Sequence, residues 1–358
     1  MARPARALLN AAALRHNFQQ VRQRAPQARV MAIVKANGYG HGAVWAARTL
    51  VDADAFGVAS VEEALALRDA GIAKPITLLE GFFDAAELPL LVQHGLAPAI
   101  HCEDQLRMLE TARLDRPLSV WIKLDTGMHR LGFAPQQFAA VLARLRAIKA
   151  VTEIRTLSHF ANADKPREAS TRAQLEEFNR QVGGAGLERS LANSAGIVAW
   201  PDSHLDWVRP GIMLYGGAPL VGAPAEALNL RPVMTLESAL IAVHRFKRGD
   251  AIGYGSEFHC PDDMTVGVAA IGYGDGYPRR MPASAPVLVN GKRAMLAGRV
   301  AMDMIALDLR AQLQAKVGDP VVLWGEGLPA DEVASHAGTI SYELFCQLTA
   351  RVPRVIRE

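Results

Sequence analysis

The sequence predicts an α/β protein: an N-terminal (β/α)₈, TIM-like barrel followed by a C-terminal, mainly β domain. Three observations lead there. The chain has 358 residues, too many for one ordinary domain and enough for the ~250 of a barrel plus a remainder. From about residue 28 to 215, short β-type apolar runs alternate with longer amphipathic ones, which implies parallel strands with helical crossovers. Past a stretch punctuated by Gly216, Gly217, Pro219, Gly222, Pro224 and Pro232, short β-type runs continue without long helices. The boundary is placed so that residues 1–225 form the barrel and 226–358 the β domain.

Eight runs supply the barrel strands: 30–35, 55–58, 76–80, 97–101, 118–124, 153–159, 190–193 and 205–209. Eight suggests closure more than an open sheet. Helical stretches at 60–70, 84–94, 103–113, 135–149 and 169–182 lie between them, and Ser60 with Glu63 has the spacing of a capping box. The second domain offers strands at 234–243, 265–271, 286–289, 293–297, 302–308 and 320–324. Turn signals separate them, notably Arg248-Gly249-Asp250, Asn290-Gly291 and Gly318-Asp319.

Composition narrows the function classes. Hydrophobic residues make up 50% and charged ones 21%, the balance of a globular protein. The net charge of +3 comes from 39 basic and 36 acidic residues, and the basic ones are scattered, so nucleic acid is not expected. Cys102, Cys260 and Cys346 are odd in number and far apart. They form neither a metal-ligand spacing nor a disulfide framework, which favours the cytoplasm and no metal. Arg3, Arg6 and the alanine-rich stretch to Leu14 loosely suggest a targeting peptide, but Asn10 interrupts it and Arg15 and His16 follow. No segment approaches the ~20 apolar residues of a membrane span.

A barrel places its catalytic groups at the C-terminal strand ends. The polar residues there are Lys35, His159, Asn193 and Arg209, with Ser194 and Gly211 following the last two strands, where barrels often bind phosphate. Lys35 opens the glycine-rich run of VKANGYGHG (34–42). A lysine at the mouth of an apolar site can lose its charge and form a Schiff base with an aldehyde. By strand logic alone, a lysine snorkelling into solvent is the better explanation.

The segment 34–42 resembles the cofactor-lysine motif of the alanine racemases, which use pyridoxal 5′-phosphate (PLP). Further motifs of that family follow in order: IKLDTGMHRLGF (122–133), SHFANAD (158–164), NS (193–194), RPGIMLYG (209–216), IGYGSEF (252–258), IGYGDGYPR (271–279), GRVAMDM (298–304) and TISYE (339–343). The resemblance spans nearly the whole chain. It implies a PLP-dependent isomerase interconverting L-alanine and D-alanine, for peptidoglycan or for D-alanine catabolism. It also implies a homodimer with shared active sites.

Carried over by residue, the resemblance makes Lys35 the cofactor lysine and one catalytic base. Tyr254, from the partner subunit, would be the other; a tyrosine of ordinary pKa ~10 needs cationic neighbours for that task. Arg209 would face the cofactor's ring nitrogen. Because arginine cannot accept a proton, that nitrogen would stay uncharged and side reactions would be limited. His159 would link Tyr254 to Arg209. Tyr39, Ser194, Gly211, Ile212 and Tyr342 would hold the phosphate. Arg130 and the backbone of Met302 would meet the substrate carboxylate. Lys123 matches a position carbamylated in some members. Asp164, Tyr273, Arg279 and Arg299 would line a narrow entrance. Ala301 departs from the pattern, where cysteine or serine is more usual; it carries no chemistry. Taken singly, Tyr254 also suits a turn, His159 and Met302 a core, and Arg130 a surface loop.

Three rival readings are distinguishable. A broad-spectrum racemase of the same fold commonly travels to the periplasm. A decarboxylase of this architecture has no need of Tyr254. A non-catalytic PLP carrier is a lone barrel and leaves residues beyond 226 unexplained.

Overall fold

A computed structural model describes residues 3–357. The strands at the heart of the N-terminal half are mainly apolar, and most of their residues are buried, as expected of strands covered on both faces. After β1 (Arg6–Asn10) come β2 (Arg29–Ile33), β3 (Ala55–Val58), β4 (Ile76–Leu78), β5 (Leu96–Ile100), β6 (Leu118–Lys123), β7 (Val151–Leu157), β8 (Arg189–Asn193) and β9 (Trp207–Arg209). Strands β2 to β9 are parallel neighbours in sequence order, and β9 pairs with β2 to close the barrel. The eight expected strands all exist, most shifted by one or two residues.

The helices follow the same logic. The expected helix at 169–182 is observed as Ala169–Val182. The stretch 84–94 divides into a 3₁₀ turn, Ala85–Glu87, and the helix Leu88–His94, because Pro89 enters at the helix start. The capping box at Ser60 does not form: the Ser60 side chain makes no cap hydrogen bond, and its hydroxyl bonds Glu62 instead. Glu63 reaches elsewhere.

The β-rich unit uses β10 (Met234–Phe246), β11 (Ala251–Ile252), β12 (Phe258–His259), β13 (Met264–Ala269), β14 (Pro286–Val289), β15 (Lys292–Leu296), β16 (Ile305–Asp308), β17 (Pro320–Trp324) and β18 (Arg354–Arg357). The order β13-β16-β15-β14-β17-β10 returns from β10 to β13, so six antiparallel strands close on themselves. This is possible because β10 is thirteen residues long. Its first half pairs with β1 and β17, and its second half, past an irregularity between Leu240 and Ala242, pairs with β13. Asn290 and Gly291 both have positive φ, 50° and 73°, in the hairpin between β14 and β15, the conformation a two-residue turn of this type demands.

The chain divides into two compact units that are not contiguous in sequence. One comprises Arg15–Leu214 and Ala218–Asn229; the other Met1–Leu14, Tyr215–Gly217 and Leu230–Glu358. Strand β1 therefore lies with the β unit instead of the barrel, since it is flanked by antiparallel β10 and parallel β18. Strands β1 and β18 escaped the sequence reading because each fills a slot only its distant partners define.

Candidate active site

At the C-terminal ends of the barrel strands the sequence places cations. Lys123 ends β6 and Arg209 ends β9, while Lys35 and His159 stand two residues beyond β2 and β7. Lys35 is half-buried. Behind it the chain does something that no strand or helix prediction contains. Ala36, Asn37, Gly38 and Tyr39 have φ of 51°, 53°, 62° and 51°, and Gly40 follows at 76°. This is a left-handed turn, which costs a non-glycine residue ~1–2 kcal/mol. Bonds from Gly38 N–H to Val34 O, from Gly40 N–H to Ala36 O and from Gly42 N–H to Asn37 O hold it, at 2.8, 2.9 and 2.7 Å. The result is a buried Tyr39 folded back toward the barrel mouth.

Tyr39, Ser194, Gly211 and Ile212 come together. A Cβ on Gly211 would fall 2.5 Å from the Tyr39 hydroxyl, so any larger residue there must displace it. Gly211 N–H donates to Ser194 Oγ at 2.9 Å. Ser194 begins a short helix whose first turn is held by Asn193, the side-chain oxygen of which accepts from Gly196 N–H at 2.9 Å.

Arg209 is fully enclosed. Its Nη1 donates to Ser190 Oγ at 2.5 Å, and its Nη2 to Ser158 O at 2.5 Å and His159 Nδ1 at 3.3 Å. Its partners are hydroxyl, carbonyl and imidazole, never a carboxylate. Burial lowers its pKa to about 10, which leaves it charged at neutral pH. Because arginine only donates, His159 Nδ1 must accept and the imidazole proton sits on Nε2. Burial, followed by the charges of Arg209, Arg130, Lys123 and Lys35, holds His159 well below the usual histidine range. It is a neutral imidazole.

Lys123, Arg130 and His159 line one cleft. Lys123 is buried, and burial followed by the charges of Arg209, Arg130 and Lys35 brings its pKa down to about 8, with Glu80 opposing. Arg130 is exposed on the loop after β6. Asp125 shapes that loop by accepting from the N–H groups of Gly127, Met128 and His129 at 3.0, 3.1 and 2.9 Å. Asp164 is half-buried, and its carbonyl accepts from Val221 N–H at 3.0 Å.

The remaining expected residues belong to the β unit. Tyr254 sits in a turn between Gly253 and Gly255, both at φ 75°, and is 71% exposed. Arg299 pairs with Glu257 beside that turn, and Arg279, also exposed, adds to the charge on the same carboxylate. Tyr273 and Met302 lie on touching segments: Tyr273 N–H donates to Ala301 O at 3.1 Å and Gly274 N–H to Met302 O at 2.8 Å. Tyr342 lies on the helix Ser341–Gln347, whose first residue is anchored by Ser341 Oγ to Asp331 at 2.6 Å.

Sequence reasoning missed several supports. Glu257 and Asp275 both fall inside quoted motifs but were assigned nothing. Asp275 is buried, receives Arg3 and Arg351, and accepts from Gly272 N–H at 2.9 Å, which fixes the Tyr273 turn. Ser158, which opens another quoted motif, and Ser190 accept from Arg209 and were likewise assigned nothing.

The barrel site suits a dianionic cofactor with an aldehyde. The charges of Lys35, Arg130 and Arg209 all act on Lys123, with Glu80 as the opposing carboxylate, and Gly211 brings its backbone against the hydroxyls of Tyr39 and Ser194.

Comparison with known proteins gives the family. Residues 9–219 match the alanine racemase N-terminal domain and residues 233–356 the alanine racemase C-terminal domain. The alanine racemase of Nitrosococcus oceani is 54% identical over 351 residues, covering 98% of each chain. That of Vibrio cholerae is 51% identical, covering 97% of each. The crystal structure of biosynthetic alanine racemase from Pseudomonas aeruginosa superposes with a TM-score of 0.96 at 47% identity, over 99% of this chain and all of that one. The chain belongs to the alanine racemase family.

Proposed function

We propose that this chain interconverts L-alanine and D-alanine with PLP, as a cytoplasmic homodimer, by two bases acting on opposite faces of the substrate. The observation that carries the reading is the buried Arg209, bonded to neutral His159 and to no carboxylate, on the same barrel end as Lys35.

Lys35 would hold the cofactor's aldehyde carbon. Tyr39, Ser194, Gly211, Ile212 and Tyr342 would receive its phosphate, and Arg209 its ring nitrogen. When bound, the cofactor withdraws electron density from the substrate's α-carbon and acidifies its C–H bond. Lys35 takes or returns the α-proton on one face. Tyr254 of the partner subunit does the same on the other, which accords with its exposure in the single chain. His159 presents its Nε2–H to the tyrosine oxygen while Arg209 fixes the tautomer. Arg130 and the Met302 backbone orient the substrate carboxylate, and Asp164, Tyr273, Arg279 and Arg299 restrict entry to small side chains. Lys123, with its pKa near 8, has far more free amine at neutral pH than an ordinary lysine; its free amine would add to carbon dioxide and lose a proton to water, giving a carbamate anion facing Arg130 where the cation had been.

Activity on L-alanine tests the reading, with L-serine and L-lysine as competitors. Rapid formation of D-alanine with little turnover of lysine is expected. Equal turnover of lysine would favour a broad-spectrum racemase, and bound cofactor without turnover a carrier. The equilibrium constant between enantiomers is one, so the structure encodes no direction of flux.

A further inference from the structure

We propose that Glu63 is a positioning residue for Lys35, its carboxylate clasping the start of the left-handed turn that fixes the lysine's direction. The proposal rests on the reading of Lys35 as the cofactor lysine.

Glu63 lies on the helix Val61–Asp69. Its Oε1 accepts from Ala36 N–H at 2.7 Å and its Oε2 from Ala59 N–H at 2.8 Å. Ala36 N–H belongs to the peptide that joins Lys35 to the turn, and Ala59 directly follows β3. One carboxylate thus ties the end of β2 to the end of β3 through two charge-assisted bonds. The bonds within the turn run from Gly38 N–H to Val34 O, from Gly40 N–H to Ala36 O and from Gly42 N–H to Asn37 O; none of them engages the Ala36 N–H, which donates to Glu63. The first residue in the left-handed region, Ala36, is exposed, so water competes for its N–H once Glu63 is gone. A strained backbone conformation persists only where its surroundings over-determine it. If Ala36 relaxes to the right-handed region, the 35–36 peptide rotates and the Lys35 side chain leaves its line. A Glu63 that only stabilised its own helix would have no such link to Lys35.

The test uses the holoenzyme and the variants Glu63→Gln, Ala36→Gly and the double variant. Two quantities are read: the rate at which PLP becomes trapped on Lys35 by borohydride, located by peptide mapping, and kcat separately from KM. For Glu63→Gln, both trapping and kcat should fall about tenfold or more while KM stays nearly constant, the signature of a misaligned reacting group. Adding Ala36→Gly should restore most of the loss, because glycine enters the left-handed region without a Cβ penalty. Trapping at the wild-type rate in Glu63→Gln, or absence of rescue by Ala36→Gly, would overturn the proposal. Should Glu63→Gln fail to fold, amide exchange in the wild-type protein decides: the Ala36 amide should exchange as slowly as that of Gly38, and exchange at a free-peptide rate would overturn it. Wild-type protein that traps no PLP at Lys35 would remove the functional reading itself, an outcome distinct from equal trapping by wild type and variant.

Discussion

Arg209 Nη2 donates to His159 Nδ1 across 3.3 Å, so the guanidinium sets the tautomer of the imidazole and opposes its protonation. The pair behaves as one device. The arginine stays charged because its donors are satisfied by Ser158 and Ser190, and the histidine stays neutral because of burial and the cations around it. In Arg209→Gln the nearest cation disappears, and the pKa of His159 should rise, while burial still holds it below the usual histidine range. NMR titration of labelled histidine reads this directly. Racemisation should fall with it, since Nε2–H is then no longer fixed in place.

Gly211→Ala probes the phosphate end. The new methyl would lie 2.5 Å from the Tyr39 hydroxyl and must displace it. Losing one good hydrogen bond weakens PLP binding about tenfold. Equilibrium dialysis against PLP measures it, and Gly184→Ala, where φ is likewise not positive and a methyl meets nothing within 4 Å, serves as the control.

How much of this site was legible beforehand depends on how far each residue's role travels along the chain. Lys35, Arg209 and His159 follow from strand ends, because a barrel fixes where strand ends point. The left-handed turn at Ala36–Tyr39 did not, since alanine and tyrosine rarely adopt it and nothing local predicts it. Glu63 was misread for a related reason: its spacing from Ser60 suggested a local cap, while its partners lie on two strand ends. In the β unit, Asn290-Gly291 announced its hairpin, but β1 and β18 became visible only in the closed sheet.

Lys123 has its pKa lowered from 10.5 to about 8. Between those values the unfolded chain binds a proton that the folded one does not, so stability should rise as pH rises from about 8 to 10.5. Lys123→Met should remove that slope in urea titrations. In bicarbonate the wild-type protein should gain the mass of one carbon dioxide at Lys123 by native mass spectrometry, and plain lysine there would exclude the carbamate.

An acid-sensitive support lies at the other end of the barrel. Burial raises the Glu188 pKa, but bonds from Arg29, Trp207 and Arg155 outweigh it and hold the group at about 2. A carboxyl lowered in the folded state stabilises above its unfolded pKa, ~4.3, and loses that contribution as pH falls toward 2. Glu188→Gln should therefore lower stability at pH 7 and flatten its decline on acidification, followed by circular dichroism.

The central claim is that two residues serve two faces. The measurement is α-deuterium incorporation in deuterated water, starting separately from L-alanine and D-alanine, with Tyr254→Phe compared with wild type. Because Tyr254 is 71% exposed in the single chain, the change should leave folding and PLP binding intact. Inversion should fall ~10²–10⁴-fold, while one enantiomer continues to exchange its α-hydrogen through Lys35 and the other does not. Loss of exchange from both enantiomers alike, or unimpaired inversion, would contradict the two-base account.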